Sequence, residues 1–123
     1  MRVVFFYKNM KKTYRLKTKK EIDFVFANKK SVKNQYFGIY YVKNIDQPHF
    51  RFALSIGRKY GNAVSRNLRK RQIRMIISTV QQLLNHVQFV VVVYPKSNDL
   101  SFEDVKKNVL QLVDQAALTE KKQ

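Results

Sequence analysis

Between Gly61 and Arg74 the chain reads Gly-Asn-Ala-Val-Ser-Arg-Asn-Leu-Arg-Lys-Arg-Gln-Ile-Arg. Arg66, Arg69, Lys70, Arg71 and Arg74 are hydrogen-bond donors with no acceptor side chain of opposite charge nearby. The planar guanidinium fork matches a pair of phosphate oxygens. On a helix, Arg66, Lys70, Arg74, Asn67 and Arg71 fall within about 140° of arc and form one basic face. Ile73, Ile76, Ile77, Val80 and Leu84 make the opposing apolar face, and Val64, Leu68 and Met75 a second, narrower apolar strip. No acid lies between Gln47 and Asn98, so none of these cations has an i,i+4 partner. Their mutual repulsion needs compensation, and a phosphate backbone supplies it.

Chemistry beyond binding has little to stand on. Hydrolysis of a phosphodiester by the protein itself needs a general base or carboxylates gathered around a metal ion. The close acids are Asp99, Glu103 and Asp104, and a simpler use exists for them. Ser101 reads as a helix N-cap with Asp104 three residues on, where a negative charge favours the helix dipole. His49 and His86 are too far apart in sequence for a metal-ligand spacing, and the chain has no cysteine. No protein catalytic residue, metal site or small-molecule cofactor is expected.

The whole chain repeats the theme of the basic stretch. It has 123 residues, with 25 Lys+Arg against 8 Asp+Glu and a net charge of +17. Hydrophobic residues make up 45%, enough for a packed core, which excludes a disordered basic tail. The length suits one domain. No apolar run approaches the roughly 20 residues of a membrane span, and the N-terminus lacks the pattern of a signal peptide. A cytoplasmic, non-membrane protein is expected. Positive charge concentrates before Glu21 and in the central block, which favours a binding surface over a generally solubilising charge.

The elements that must position this surface follow from periodicity. Residues 1–17 read as a basic, mostly flexible arm. Thr18 to Asn28 is a short helix, with Thr18 and Glu21 forming a capping box and Ile22, Val25 and Phe26 an apolar stripe. Tyr36 to Val42 is a strand, with Phe37, Ile39 and Tyr41 on one face and Tyr36, Gly38 and Tyr40 on the other. Asn44 to Pro48 is a turn. Phe50 to Ile56 alternates as a half-buried strand and is expected to hairpin with the strand before it. A helix runs from Asn62, its N-cap, to Leu84. Phe89 to Tyr94 is a continuous apolar run, a central strand buried on both faces and ended by Pro95. A last helix follows Ser101, and residues 119–123 are a frayed tail. The order α-β-β-α-β-α, with room for one small extra strand, predicts an α+β domain over 18–118: a single sheet with helices packed on it.

On an open sheet face, aromatic side chains can stack on unpaired bases. Tyr36 and Tyr40 share a face with Gly38, whose missing side chain leaves room above the sheet, and Phe26 is a candidate neighbour. Arg51 and Ser55 share one face of the next strand and can line the same groove. The alternative for these aromatics is ordinary core packing.

The stretch from Gly61 to Arg74 resembles the motif of the bacterial ribonuclease P protein component, an Arg-Asn-Arg triplet in a G-N-A-V-x-R-N-x-x-K-R-x-x-R frame. The preceding Ala-Leu-Ser-Ile-Gly-Arg-Lys-Tyr of residues 53–60, the segment from Leu16 to Phe26, the strand Tyr36–Tyr41 and the late Val-rich strand also match. The resemblance spans roughly Tyr14 to Ala117. It departs in two places. Leu68 stands where the triplet has its second arginine, with Arg69 at the apolar position after it, as if the base were displaced by one residue. Ile22 stands where the family usually has Phe.

The resemblance implies a ribosomal-protein-like α/β sandwich with a left-handed βαβ crossover. It implies a protein subunit that binds a catalytic RNA and the 5′ leader of precursor tRNA, whose leader the RNA removes with magnesium ions bound mainly by RNA. Arg58, Lys59, Asn62, Arg66, Asn67, Arg69, Lys70, Arg71 and Arg74 are then the candidates for the RNA subunit. Ile22, Phe26, Tyr36, Tyr40, Arg51 and Ser55 are the candidates for the leader cleft. Two other readings use the same composition: a ribosomal or ribosome-assembly protein, and a metal-dependent nuclease acting alone. The second lacks the carboxylates it needs.

Overall fold

The computed structural model describes residues 14–16, 18–43, 49–81, 83–84 and 86–118. The expected turn at 44–48, the tail 119–123 and most of the arm lie outside these residues. Tyr14–Leu16 belongs to the packed body: Arg15 bridges to Phe52, and buried Leu16 donates its N–H to the Phe52 carbonyl at 3.0 Å.

Among the described residues the elements are α1 (Lys19–Ala27), β1 (Ser31–Lys33), β2 (Phe37–Val42), β3 (Arg51–Ile56), α2 (Ala63–Thr79), β4 (Gln88–Val93) and α3 (Phe102–Gln115), with 3-10 turns at Arg58–Tyr60 and Pro95–Asp99. The four strands form one sheet in the order β1-β2-β4-β3, with β3 and β4 parallel and the other pairs antiparallel.

The expected hairpin between the second and third strands does not form. β4 lies between them, pairing Tyr40 with Val90 on one side and Ala53 with Val90 on the other. From Phe89 to Val93 β4 is apolar, with Phe89, Val90 and Val91 fully buried, and the centre of the sheet is where such a strand satisfies its backbone and both faces. The hairpin is instead β1–β2, the small extra strand. Asn34 turns it, accepting from the Tyr36 and Phe37 N–H groups at 2.8 and 2.9 Å.

Helices cover both sheet faces. One face carries the large core, where Phe37, Ile39, Phe52, Phe89 and Val91 meet Ile73, Ile76 and Ile77 of α2 and Val105, Val109 and Leu112 of α3. The other carries a smaller core of Leu16, Val25, Val42 and Val90 beneath α1. The capping box of α1 is present, with Thr18 and Glu21 bonded reciprocally. α2 stops at Thr79, short of the expected Leu84. Ser78 and Thr79 donate their hydroxyls back to the Met75 and Ile76 carbonyls, both at 2.6 Å, and the chain tightens into turns after them.

Candidate nucleic-acid interface

Ahead of α2, Gly61 sits at φ 158°, ψ −166°, a conformation that favours glycine, and turns the chain into the helix. Asn62 caps α2, its Oδ1 accepting from the Ser65 N–H at 2.8 Å. Asn67 and Arg71 are exposed on α2, and Arg66, Lys70 and Arg74 partly exposed, while Arg58 and Lys59 are exposed on the turn before it. The expected basic face therefore exists. Within it, Arg66 Nε is shielded from solvent and has no hydrogen-bond partner among the described residues, so an acceptor arriving from outside would satisfy it.

Arg69 is the correction. It is 7% exposed and faces inward. Its Nε donates to the Tyr60 hydroxyl at 2.6 Å, its Nη1 to Gln72 Oε1 at 2.8 Å, and its Nη2 to the carbonyls of Ser97, Asn98 and Leu100 at 3.1, 3.4 and 3.0 Å. Asn98 adds a bond to the Tyr60 carbonyl at 2.7 Å. Arg69 thus ties the turns at 58–60 and 95–99 to α2 and does not belong to the RNA-facing set. The chain has exchanged the two side chains of the motif: Leu68 is 53% exposed at the outward position, and the arginine fills the inward one.

The second candidate site is the α1 side of the sheet, where cross-strand partners share a face. Three rows follow from the register: Lys33–Gly38–Val92–Ser55, then Ser31–Tyr40–Val90–Ala53, then Val42–Gln88–Arg51. α1 packs on the second and third rows through Ile22, Val25 and Phe26. The first row is an open end, with Lys33 and Ser55 exposed. Phe26 and Tyr40 meet edge to face there at 4.9 Å, and Lys33 Nζ stands 5.9 Å from the Tyr40 ring centroid.

This geometry keeps Phe26 and Tyr40 in contact, leaves Ser55 exposed on the same face at the far strand, and takes three others out of the cleft. Tyr36 precedes β2 and packs on the large core, on the opposite face from Tyr40. Arg51 lies two rows from Ser55; it pairs with Glu21 at 3.0 Å and donates to the Arg15 carbonyl at 3.0 Å. Ile22 is part of the packing under α1. Nor does Gly38 leave an empty floor: a Cβ there would stand 2.7 Å from the Tyr94 hydroxyl oxygen, so glycine makes room for that phenol. Sequence reasoning missed Lys33 and Tyr94. The period-2 continuation of Val90 and Val92 to residue 94 was the signal for the latter.

A family model described as Ribonuclease P matches residues 10–117. The chain belongs to the ribonuclease P protein family. The ribonuclease P protein component of Acholeplasma laidlawii is 47% identical over 113 residues, covering 91% of this chain and 97% of its relative. A solved structure of a Staphylococcus aureus RNase P protein mutant superposes with a TM-score of 0.85 at 26% identity, covering 94% of this chain and 98% of that one. The RNase P protein from Thermotoga maritima gives a TM-score of 0.74 at 26% identity, covering 82% and 96%. Membership in the ribonuclease P protein family implies an RNA subunit as partner, and makes the chain a tRNA-processing component of a ribonucleoprotein. No helix among the described residues is long and apolar enough to cross a membrane.

Proposed function

We propose that this chain is the protein subunit of a ribonuclease P holoenzyme in which the RNA carries the catalysis. Its α2 face of Arg66, Asn67, Lys70, Arg71 and Arg74, extended by Arg58 and Lys59, binds the backbone of the RNA subunit. The open row beside α1 holds the single-stranded 5′ leader of precursor tRNA, with Tyr40 and Phe26 at its border offering ring edges and Lys33 a charge for phosphate. The observation that carries the proposal is the outward basic face of α2 within the family's motif.

The uses the acidic residues already have support this division of labour. Among the described residues no group of three or more His, Asp or Glu is arranged to hold a metal ion. Asp104 and Ser101 are engaged as the N-terminal cap of α3, the Asp104 N–H donating to Ser101 Oγ at 3.2 Å. The proposal assigns no step to a protein-bound metal. Magnesium enters this proposal as an ion held mainly by RNA, with the protein lowering the concentration required by neutralising phosphate and retaining the leader. The site of action is the cytoplasm.

Reconstitution tests the proposal. With a bacterial ribonuclease P RNA and a leader-bearing precursor tRNA at low magnesium, the chain is expected to increase the rate of cleavage at the mature 5′ end. No gain would refute the role, and cleavage by the protein without RNA would refute the division of labour.

A further inference from the structure

Beside the basic face lies a recess of about 200 Å³, lined by Tyr60, Ser65, Leu68, Arg69, Gln72, Asn98, Leu100 and Phe102. Its floor is unusual. Arg69 is a buried cation whose five hydrogen-bond acceptors are all uncharged. Buried charge is ordinarily paired with opposite charge, so this floor keeps a positive potential.

The same bonds fix which way the polar groups point. Gln72 turns its Oε1 to Arg69, leaving its amide NH₂ as the free end. A guanidinium has five N–H bonds, and this arrangement leaves one on Nη1. Ser65 adds a hydroxyl that can donate. The recess therefore offers donors at its base and apolar walls from Leu68, Leu100 and Phe102. Leu68, at 53% exposure, is an apolar side chain held out to solvent beside the basic face.

A flat ring bearing carbonyl oxygens fits both features; a phosphate fits only the first. Exposed Asp99, Glu103 and Asp104 are sequence neighbours of the lining residues Asn98, Leu100 and Phe102 and disfavour an anion. On this basis, and resting on the RNA-binding reading above, we propose that the recess receives one unpaired nucleobase of a bound RNA and prefers uracil or guanine. Those bases present a carbonyl where cytosine and adenine present an exocyclic amine, and an amine would set donor against donor. The adjoining phosphates remain on the α2 side, within reach of Asn67 and Arg71.

The test is an NMR titration of the full-length ¹⁵N-labelled chain with pentauridylate and with pentacytidylate, reading the backbone amide of residue 72, which the wild-type chain and a substituted variant both carry. Pentauridylate is expected to shift that resonance saturably, with an apparent affinity about ten-fold above that for pentacytidylate. Gln72→Glu keeps an acceptor for Arg69, so it preserves the fold, but it removes the donor. It should reduce the affinity for pentauridylate to that for pentacytidylate, and a melting curve confirms that the variant is folded. Equal shifts with both oligonucleotides, no shift with either, or a preference that survives in Gln72→Glu would overturn the inference. Binding of the wild-type chain to ribonuclease P RNA is measured in parallel. Loss there defeats the RNA-binding reading itself; normal binding there with no uridine preference at Gln72 defeats only the base site.

Discussion

Arg69 and Arg71 stand two residues apart on α2 and do opposite work. Arg71 projects into solvent on the basic face; Arg69 is buried and spends its guanidinium on the Tyr60 hydroxyl, the Gln72 side chain and the backbone carbonyls of residues 97, 98 and 100. Residue type does not separate them. Helical phase does, because two residues rotate the side chain by about 200°. The same contrast recurs on the α1 side of the sheet. Arg51 is held by Glu21, whereas Lys33 stands at the uncovered end of the same face, beside the half-buried Tyr40. Charge thus serves two purposes here, binding of a polyanion and internal cross-linking, and a count of basic residues mixes them.

Each half of this contrast can be broken separately. Arg69→Ala should cost about 3 kcal/mol of folding stability, because five acceptors lose their donor in a largely buried setting. Denaturant unfolding measures it, and a loss below about 1 kcal/mol would show that water replaces the guanidinium. Arg66→Ala combined with Arg71→Ala should leave the unfolding midpoint nearly unchanged while weakening RNA-subunit binding by about 2 kcal/mol, read by filter binding. Tyr40→Ala should weaken binding of a leader-bearing precursor by about 1.5 kcal/mol through loss of a stacking surface. Binding of a leaderless tRNA to the same holoenzyme is the comparison, and equal losses for both would remove Tyr40 from the cleft.

The smallest effect serves as a control that touches neither surface. Ala117 ends α3 at φ 57°, in the left-handed region, with the Leu118 N–H returning to the Val113 carbonyl at 3.1 Å. Ala117→Gly should raise stability by about 0.5 kcal/mol without changing RNA affinity. A destabilisation would mean that the Ala117 methyl contributes packing that outweighs its backbone strain.

Much of this was legible in the sequence. Capping residues place the starts of the three helices among the described residues, since Thr18, Asn62 and Ser101 act through bonds three residues away. The apolar run in β4 announced a central strand. Strand neighbours were another matter: alternation tells which face a residue takes but not which strand lies beside it, so the assumed hairpin failed when β4 inserted. That error has little effect on Tyr40, whose face was right. It does affect Arg51 and Ser55, which share a face but lie in different rows, one covered by α1 and one open. Arg69 was hardest to read, because its partners are backbone carbonyls at 97–100, and no side-chain pattern advertises them. Its angular position, about 300° round from Arg66 and between Ile76 and Ile73, is the one signal that marks it as inward.

The claim that the outward face of α2, and not Arg69, meets the RNA phosphates is tested most directly by salt dependence. Binding to a bacterial ribonuclease P RNA is measured across a range of monovalent salt for the wild-type chain, for Arg66→Ala with Arg71→Ala, and for Arg69→Gln. The double variant should flatten the plot of log affinity against log salt by about two units, about one per lost phosphate contact, and Arg69→Gln should keep the wild-type slope. An unchanged slope in the double variant, or an equal flattening in Arg69→Gln, would contradict the account.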